Sequence, residues 1–270
     1  MKMGYPSIDR PWLQFYDSAL TEDDIPKCSA YHLLYENNKE HLEDTALIYF
    51  DRKISFKVFF NKIKKAASAF NKLGIEKGDM VTLQVLNMPQ TIIIFYALSY
   101  IGAVANIIYV TSSESELNAI LKNTESKMFV TIDSLWDKMK SGVKDTVVEN
   151  VLLLKVGEEA DIVTKTVLGM KKSSKDKKCF TWNKFLKLGE LETAVEINQS
   201  DIPVAMVYTS GTTGKSKAVV LANKSMNSLV LQYGKTYTSL KRGGVFMNSL
   251  PPFIAFGLAC SLHIPWIHEG

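Results

Sequence analysis

The chain has 270 residues, 46% of them hydrophobic and 22% charged, with a formal net charge of +4. That much apolar material supports a sizeable core in one large domain or two modest ones and excludes global disorder. The excess of 32 lysines and arginines over 28 aspartates and glutamates is too small to argue for nucleic acid as a partner. The densest basic run, KKSSKDKK at Lys171–Lys178, reads as a solvated loop, because like charges repel and stay hydrated.

Thiols and imidazoles narrow compartment and metal. Cys28, Cys179 and Cys260 lie far apart, form no CxxC pair and are odd in number, so reduced thiols in a cytoplasmic protein are expected. His32, His41, His263 and His268 form no HExxH, and His263 and His268 fall on different faces of a helix, so no zinc site is expected. The start, MKMGYPSIDRPW, has no apolar core of signal-peptide length.

In chain order, Thr45–Phe50 and Lys53–Phe56 read as short strands around an Asp51–Arg52 turn. Val58, Phe59, Ile63, Ala66, Ala67, Phe70 and Leu73 then recur at three- and four-residue spacing, with lysines mostly off that stripe, which predicts a helix ended by Gly74. Met80 to Ser113 carries no charge, and its apolar run is long enough to suggest a membrane span. Asn87, Pro89, Gly102 and Asn106 break it, and no basic cluster flanks it. The better reading is a buried βαβ unit: strand Met80–Leu86, helix Pro89–Ile101, strand Val104–Tyr109. A helix after Ser113 follows, with Glu116 completing a capping box. Next come a strand at Lys127–Ile132, a short helix at Ser134–Lys140 and a strand at Asn150–Lys155. Residues Gly157–Lys178 read as an irregular surface excursion, and Thr181–Gly189 as a helix. Pro203–Thr209 and Lys217–Leu221 are strands, and Asn223–Leu240 is a helix capped by Asn223. The alternation predicts an α/β fold with mostly parallel sheets flanked by helices.

Between the last two strands lies the stretch that carries chemistry, YTSGTTGKSK at Tyr208–Lys217. Gly211 and Gly214 permit positive φ and close approach of a ligand to the backbone. Successive N–H groups in such a turn form a concavity for anions. Thr209, Ser210, Thr212 and Thr213 add hydroxyls as donors or magnesium ligands, and Lys215 and Lys217 add positive charge. The bland alternative is a polar turn with solvated hydroxyls. A nucleotide-triphosphatase loop, G-x-x-x-x-G-K-[ST], matches only in its second half, because Thr209 stands where its first glycine is required. A P-loop kinase or ATPase is therefore disfavoured.

MVYTSGTTGKSK resembles the signature Y-T-S-G-T-T-G-x-P-K-G of the adenylate-forming superfamily, which includes acyl-CoA synthetases, peptide-synthetase adenylation domains and beetle luciferases. Ser216 replaces its proline and Ala218 its last glycine; neither change removes a hydroxyl or a lysine. The segment from Ile54 to Gln90, the next block from Tyr100 to Thr131, and NSLPPFIAFGL at Asn248–Leu258 are similar to family segments in the same order. The last resembles P-x-F-H-x-x-G of acyl-CoA synthetases, with Ile254 in place of histidine.

The resemblance implies ATP-dependent activation of a carboxylic acid to an acyl-adenylate, then transfer to coenzyme A, with ATP, Mg2+ and coenzyme A required. It implies that residues 209–217 bind the ATP phosphates, with Thr209 a magnesium contact, and that Phe253, Ile254, Ala255, Phe256 and Gly257 border the acid. The last motif lacks the aspartate with which peptide-synthetase domains hold a substrate ammonium, which disfavours amino acids and leaves a fatty or aryl acid as the expected substrate. Family chains are about twice as long. Their adenine, ribose and further metal contacts and their catalytic lysine correspond to positions beyond Gly270, so residues 1–270 are expected to be an incomplete N-terminal adenylation domain without the small C-terminal domain. On that expectation no catalytic residue is assigned within the chain, which alone is expected to be inactive and prone to self-association. A non-catalytic nucleotide-binding or interaction fragment is the other reading.

Overall fold

The computed structural model describes residues 4–15, 21–168, 176, 178–209, 217–236 and 241–267. After a short helix α1 (Pro6–Asp9), α2 (Ala30–Asn38) starts at Ser29, whose hydroxyl accepts from His32 N–H. Strands β1 (Thr45–Tyr49) and β2 (Arg52–Ser55) form an antiparallel hairpin in which Tyr49 pairs with Arg52. The turn is therefore Phe50–Asp51, one residue earlier than the sequence suggested. Both residues have positive φ (44° and 59°), the backbone that matches the right-handed twist of a two-residue hairpin.

Helix α3 (Phe56–Lys72) buries Phe56, Phe59, Phe60, Ile63, Ala66, Ala67 and Phe70. Val58, predicted on that stripe, is exposed, and Phe60 takes the inward position. The predicted βαβ unit is present as β3 (Met80–Gln84), α4 (Pro89–Ile101) and β4 (Val104–Ile107), with β3 and β4 parallel. Every residue of α4 is buried, and Gly102 ends it at φ 71°, a left-handed cap that glycine adopts at little cost. The charge-free stretch is thus an interior helix between two interior strands. Among the described residues, no helix is long and apolar enough to cross a membrane.

Helix α5 (Glu114–Thr124) carries the predicted capping box: Glu116 N–H donates to Ser113 Oγ at 3.3 Å, and Ser113 N–H to Glu116 Oε2 at 2.7 Å. Then follow β5 (Met128–Ile132), α6 (Asp133–Met139) and β6 (Asn150–Leu154). Gly157–Lys178 is not wholly irregular. It contains a 3-10 turn at Val156–Glu159 and helix α7 (Ile162–Leu168), started by the Asp161 carboxylate, which accepts from the N–H groups of Val163 and Thr164. The anchor is Glu159, 3% exposed, which accepts from Arg52, Lys62 and the Trp182 indole. No composition or period signals such a tertiary tie. Beyond it come β7 (Cys179–Thr181), α8 (Trp182–Leu188), β8 (Pro203–Thr209), β9 (Lys217–Ala222), α9 (Asn223–Thr236) and α10 (Ala255–Leu262).

Among the described residues, seven strands form one sheet in the order β7-β6-β5-β3-β4-β8-β9, parallel throughout except that β9 runs antiparallel to β8. Alternate residues serve two layers, as a pleated strand covered on both faces requires. Met128, Val130, Leu152 and Leu154 face the core containing Phe59, Phe70, Phe95 and Tyr96, whereas Phe129, Val151 and Leu153 face the core built with Leu117, Leu121 and Trp136. Asn223 does not serve as the expected cap. Its Oδ1 accepts from Ala30 N–H at 2.8 Å and its Nδ2 donates to Gln199 O at 3.0 Å, so it ties α9 to α2 instead.

A second tie is His263, fully buried at the end of α10. Asn227 Nδ2 donates to Cys28 O, which leaves its Oδ1 to accept from His263 Nε2 at 3.0 Å; His263 Nδ1 lies 3.0 Å from the Tyr96 hydroxyl. Desolvation lowers the His263 pKa to about 3. Below pH 6.5 the unfolded chain takes up a proton that the folded chain refuses. This group's contribution to stability is therefore complete above pH 6.5 and falls by about 1.4 kcal/mol per pH unit as pH drops toward 3. Urea unfolding at stepped pH should show that slope, and a His263→Asn variant should lose much of it. For the Glu159 cluster, Glu159→Ala should cost roughly 3 kcal/mol by stranding Lys62 and the Trp182 N–H, whereas Glu36→Ala, which breaks an exposed pair with Lys39, should leave stability nearly unchanged. Equal costs in chemical denaturation would contradict this ranking.

Candidate functional site

The site is built by β8. Val204, Ala205, Met206 and Val207 are buried, Tyr208 is half-buried and Thr209 is exposed, so the strand emerges from the core at its C-terminal end. Parallel pairing with β4, Ala105 to Ala205 through Ile107 to Val207, brings that end out on the side where β3 and β4 also end. Open α/β sheets bind ligands at this edge. Strand β9 returns antiparallel, with Tyr208 opposite Ala218 and Thr209 opposite Lys217.

Of the candidate phosphate-binding residues, Thr209 and Lys217 therefore form the neck of a hairpin. Thr209 Oγ1 lies 3.5 Å from the Lys217 carbonyl. Ser210, Gly211, Thr212, Thr213, Gly214, Lys215 and Ser216 lie outside the described residues. Both neck side chains are exposed, and a hydroxyl and an ammonium carried at paired strand positions suit a magnesium-bound phosphate, since magnesium prefers hard oxygen ligands and keeps several waters. Among the described residues, no group of three or more His, Cys, Asp or Glu gathers to hold a metal.

The second motif lies beside the neck. Asn87, just before α4, donates to Leu250 O at 2.7 Å and so holds the segment leading into Pro251. Asn248 Nδ2 donates to Ser261 O at 3.2 Å. Gly257 is buried, and a Cβ there would sit 2.0 Å from the Pro251 carbonyl, so no other residue fits this turn unchanged. The five candidate acid-contacting residues divide. Phe253 is half-buried, with its ring 5.3 Å from that of Tyr109, and Gly257 packs inside. Ala255 is exposed, Ile254 is 44% exposed and Phe256 65%. These three do not form one continuous wall with Phe253. A cavity of about 900 Å³ lies alongside, lined by residues that include Ala46, Met88, Ile92, Met247 and Trp266. It reaches Asn248 but none of Thr209, Lys217 or Phe253–Gly257.

Tyr109 is the residue that sequence reasoning missed. Its hydroxyl donates to the Tyr208 carbonyl at 3.0 Å, immediately before the neck, while its ring meets Phe253. One side chain thus spans the two motifs. An aromatic with a polar tip at the end of a buried strand was the only signal available. Burial raises the pKa of the Tyr208 phenol, which keeps that neighbour neutral.

This is an α/β domain whose sheet presents a hydroxyl-rich and lysine-bearing hairpin at the edge where such sheets bind ligands. Residues 34–270 match the family described as AMP-binding enzyme. The chain belongs to that family and hence to the adenylate-forming superfamily. It is 28% identical over 192 residues to an acetyl-coenzyme A synthetase of Pyrobaculum arsenaticum, covering 70% of this chain and 28% of that one. It is 22% identical over 265 residues to a long-chain-fatty-acid–CoA ligase of Bacillus subtilis, covering 94% and 47%. With 4-coumarate–CoA ligase 1 of Petroselinum crispum it shares 30% over 169 residues, covering 63% and 28%. The chain spans less than half the length of these relatives. In fold it is similar to the anthranilate CoA ligase AuaEII in complex with anthranoyl-AMP, at TM-score 0.74 and 18% identity over 92% of this chain and 45% of that one.

Two substitutions probe the geometry. Tyr109→Phe should cost about 1 kcal/mol, the worth of one partly buried hydrogen bond, in chemical denaturation. Gly257→Ala should cost about 1–3 kcal/mol through overpacking against Pro251. A neutral Gly257→Ala would show that the turn is looser than its geometry implies.

Proposed function

We propose that residues 209–217 grip the β- and γ-phosphates of MgATP in an enzyme that activates a carboxylic acid as its adenylate and passes the acyl group to coenzyme A. The observation that carries this reading is the antiparallel register of Thr209 with Lys217. It closes a seven-residue segment bearing four hydroxyls, two glycines and a lysine at the ligand-binding edge of the sheet. A carboxylate is a poor acyl donor, and joining it to AMP supplies a good leaving group. In the first step the carboxylate oxygen attacks the α-phosphorus and pyrophosphate departs. In the second, a thiol displaces AMP. Lys215 and Lys217, with the loop N–H groups, stabilise the charge that builds on the departing pyrophosphate. Magnesium, contacted by Thr209, would screen the same charge.

The acid is taken to be fatty or aryl. Phe253 and Tyr109 offer an apolar border, and motif Pro251–Leu258 contains no carboxylate to hold an ammonium. The relatives include coenzyme A ligases named for a long-chain fatty acid and for 4-coumarate as well as acetyl-coenzyme A synthetases, so the choice rests on these residues. Residues 1–270 are read as the phosphate-gripping part of an adenylation domain. The remaining contacts to ATP and the catalytic lysine belong to the portion of the relatives that this chain does not span. A cytoplasmic setting goes with the reduced-thiol reading of Cys28, Cys179 and Cys260. Self-association of the isolated chain, through exposed apolar residues such as Val245, Met247 and Phe256, goes with the same reading.

Titration with MgATP and a pyrophosphate-release assay test the two halves of the proposal. The chain should bind MgATP, and Lys217→Ala should weaken binding by about tenfold, the worth of one charge-assisted contact. Unchanged affinity would remove the phosphate assignment. With MgATP, coenzyme A and a panel of fatty and aryl acids, the chain alone should release no pyrophosphate above the Lys217→Ala control. Clear turnover would show that the chain holds its own catalytic groups, contrary to the division proposed.

A further inference from the structure

The cavity of about 900 Å³ beside the second motif is used by neither step of the proposed reaction. Its volume is that of a small-molecule site. Phe56, Met88, Ile92 and Trp266 give it a buried apolar wall, and the exposed residues Ile48 and Met247 also line it, which leaves it reachable from solvent.

Three oxygens are set into this lining. Asn87 Oδ1, Asn248 Oδ1 and Ser261 Oγ are buried, yet among the described residues none has a hydrogen-bond partner. They share one neighbourhood: Asn87 Nδ2 lies 3.4 Å from the Asn248 carbonyl, and Asn248 Nδ2 donates to the Ser261 carbonyl at 3.2 Å. Ser261 is fully buried within α10. A serine inside a helix can satisfy its hydroxyl on the carbonyl one turn back, and Ser261 makes no such bond among the described residues. Burying a polar atom without a partner is costly, so three of them bordering one cavity call for a ligand that completes their hydrogen bonds.

The chemistry of the three oxygens selects that ligand. Each asparagine amide is oriented by its Nδ2, which donates to a carbonyl, Leu250 for Asn87 and Ser261 for Asn248. Both Oδ1 atoms therefore only accept, whereas the Ser261 hydroxyl can donate or accept. A ligand carboxylate would face two acceptors. A ligand ammonium would find no buried carboxylate among the described residues of the lining, since Asp44 is exposed and pairs with His41 at 3.4 Å. Arg242, also in the lining, donates to Asn38 Oδ1 and the Asn37 carbonyl. The remaining choice is a neutral head with N–H or O–H groups. A primary carboxamide brings two hydrogens for the Oδ1 atoms and a carbonyl for the Ser261 hydroxyl.

We propose that this cavity binds a neutral amphiphile, its carboxamide or hydroxyl head on Asn87, Asn248 and Ser261 and its apolar body against Phe56, Met88, Ile92 and Trp266. The site is separate from the acid border at Phe253–Gly257, which the cavity does not reach, and it stands independently of the nucleotide-site reading.

The test is calorimetric titration of the full chain with four probes of one chain length: octanamide, octanol, methyl octanoate and octanoate. Octanamide and octanol should bind. Methyl octanoate, which keeps the chain but has no donor, and octanoate should each bind about tenfold more weakly than octanamide or not at all. Ser261→Ala should weaken octanamide binding about fivefold and leave methyl octanoate unaffected. Its thermal melt should be unchanged or raised, because the substitution removes a buried hydroxyl that has no partner. The four-probe series uses the unaltered chain and decides the matter even if the variant misfolds. Failure of both octanamide and octanol to bind would leave the three oxygens to solvent and overturn the proposal. Equal affinity for methyl octanoate would overturn it by showing that the oxygens read nothing. Tightest binding by octanoate would assign the cavity to the acid instead, and undiminished octanamide binding in a folded Ser261→Ala variant would place the ligand elsewhere; either result overturns it.

Discussion

The parallel pairing of β8 with β4 is the constraint on which the functional arrangement depends. It extends the buried unit β3–α4–β4 by one strand and, through polarity alone, brings Thr209 out at the edge where β3 and β4 also end. A strand paired the other way would carry the same residues to the opposite edge, away from Tyr109, Asn87 and the Pro251–Gly257 turn. The antiparallel return of β9 then sets the width of the neck, because Lys217 must stand opposite Thr209. The residues between them are thus held at both ends by a sheet whose central strands are buried, with Thr82, Gln84, Asn106 and Thr131 set among apolar side chains.

Around that neck the polar contacts are few, and each spans a long distance in sequence. Asn87 reaches the Leu250 carbonyl and Tyr109 the Tyr208 carbonyl, and at the far end of β9 Asn223 reaches the Ala30 N–H. Each satisfies a backbone group in or beside the interior, where a group left unpaired would cost more than the bond itself contributes. They act less as sources of net stability than as fixings of relative position. Tyr109 matters most for function, because it joins the strand end before the phosphate loop to the aromatic of the second motif.

The parts of this arrangement legible in the sequence were those set by local period or by one residue's stereochemistry. Pro89 opens α4 and Gly102 closes it. Ser113 and Glu116 start α5, and the run Pro203–Thr209 is a buried strand with the bounds expected. The parts that were not legible arise between segments. Helix α7 appears in a stretch read as irregular because Gly157 admits its close approach and Glu159 is tied to Arg52, Lys62 and Trp182, all from other elements. Asn223 looked like a cap from its place before a helical pattern, yet its amide serves α2 and the Gln199 carbonyl. Tyr109 could be placed on a strand, but its contact with Tyr208 exists only once β4 and β8 lie side by side. Ile254 and Phe256 stand among the residues that the resemblance places at the acid, and their exposure beside the turn that Gly257 makes against Pro251 had no local signal.

The account's central claim is that the segment closed by Thr209 and Lys217 is where nucleotide phosphate is held. Amide hydrogen exchange across the whole chain, with and without MgATP, tests it most directly, because backbone N–H groups are the donors invoked. The account predicts that protection rises in peptides covering Tyr208–Ala218, and that Lys217→Ala removes the effect. Protection confined to the cavity beside Met247 and Trp266, with the hairpin unchanged, would contradict it.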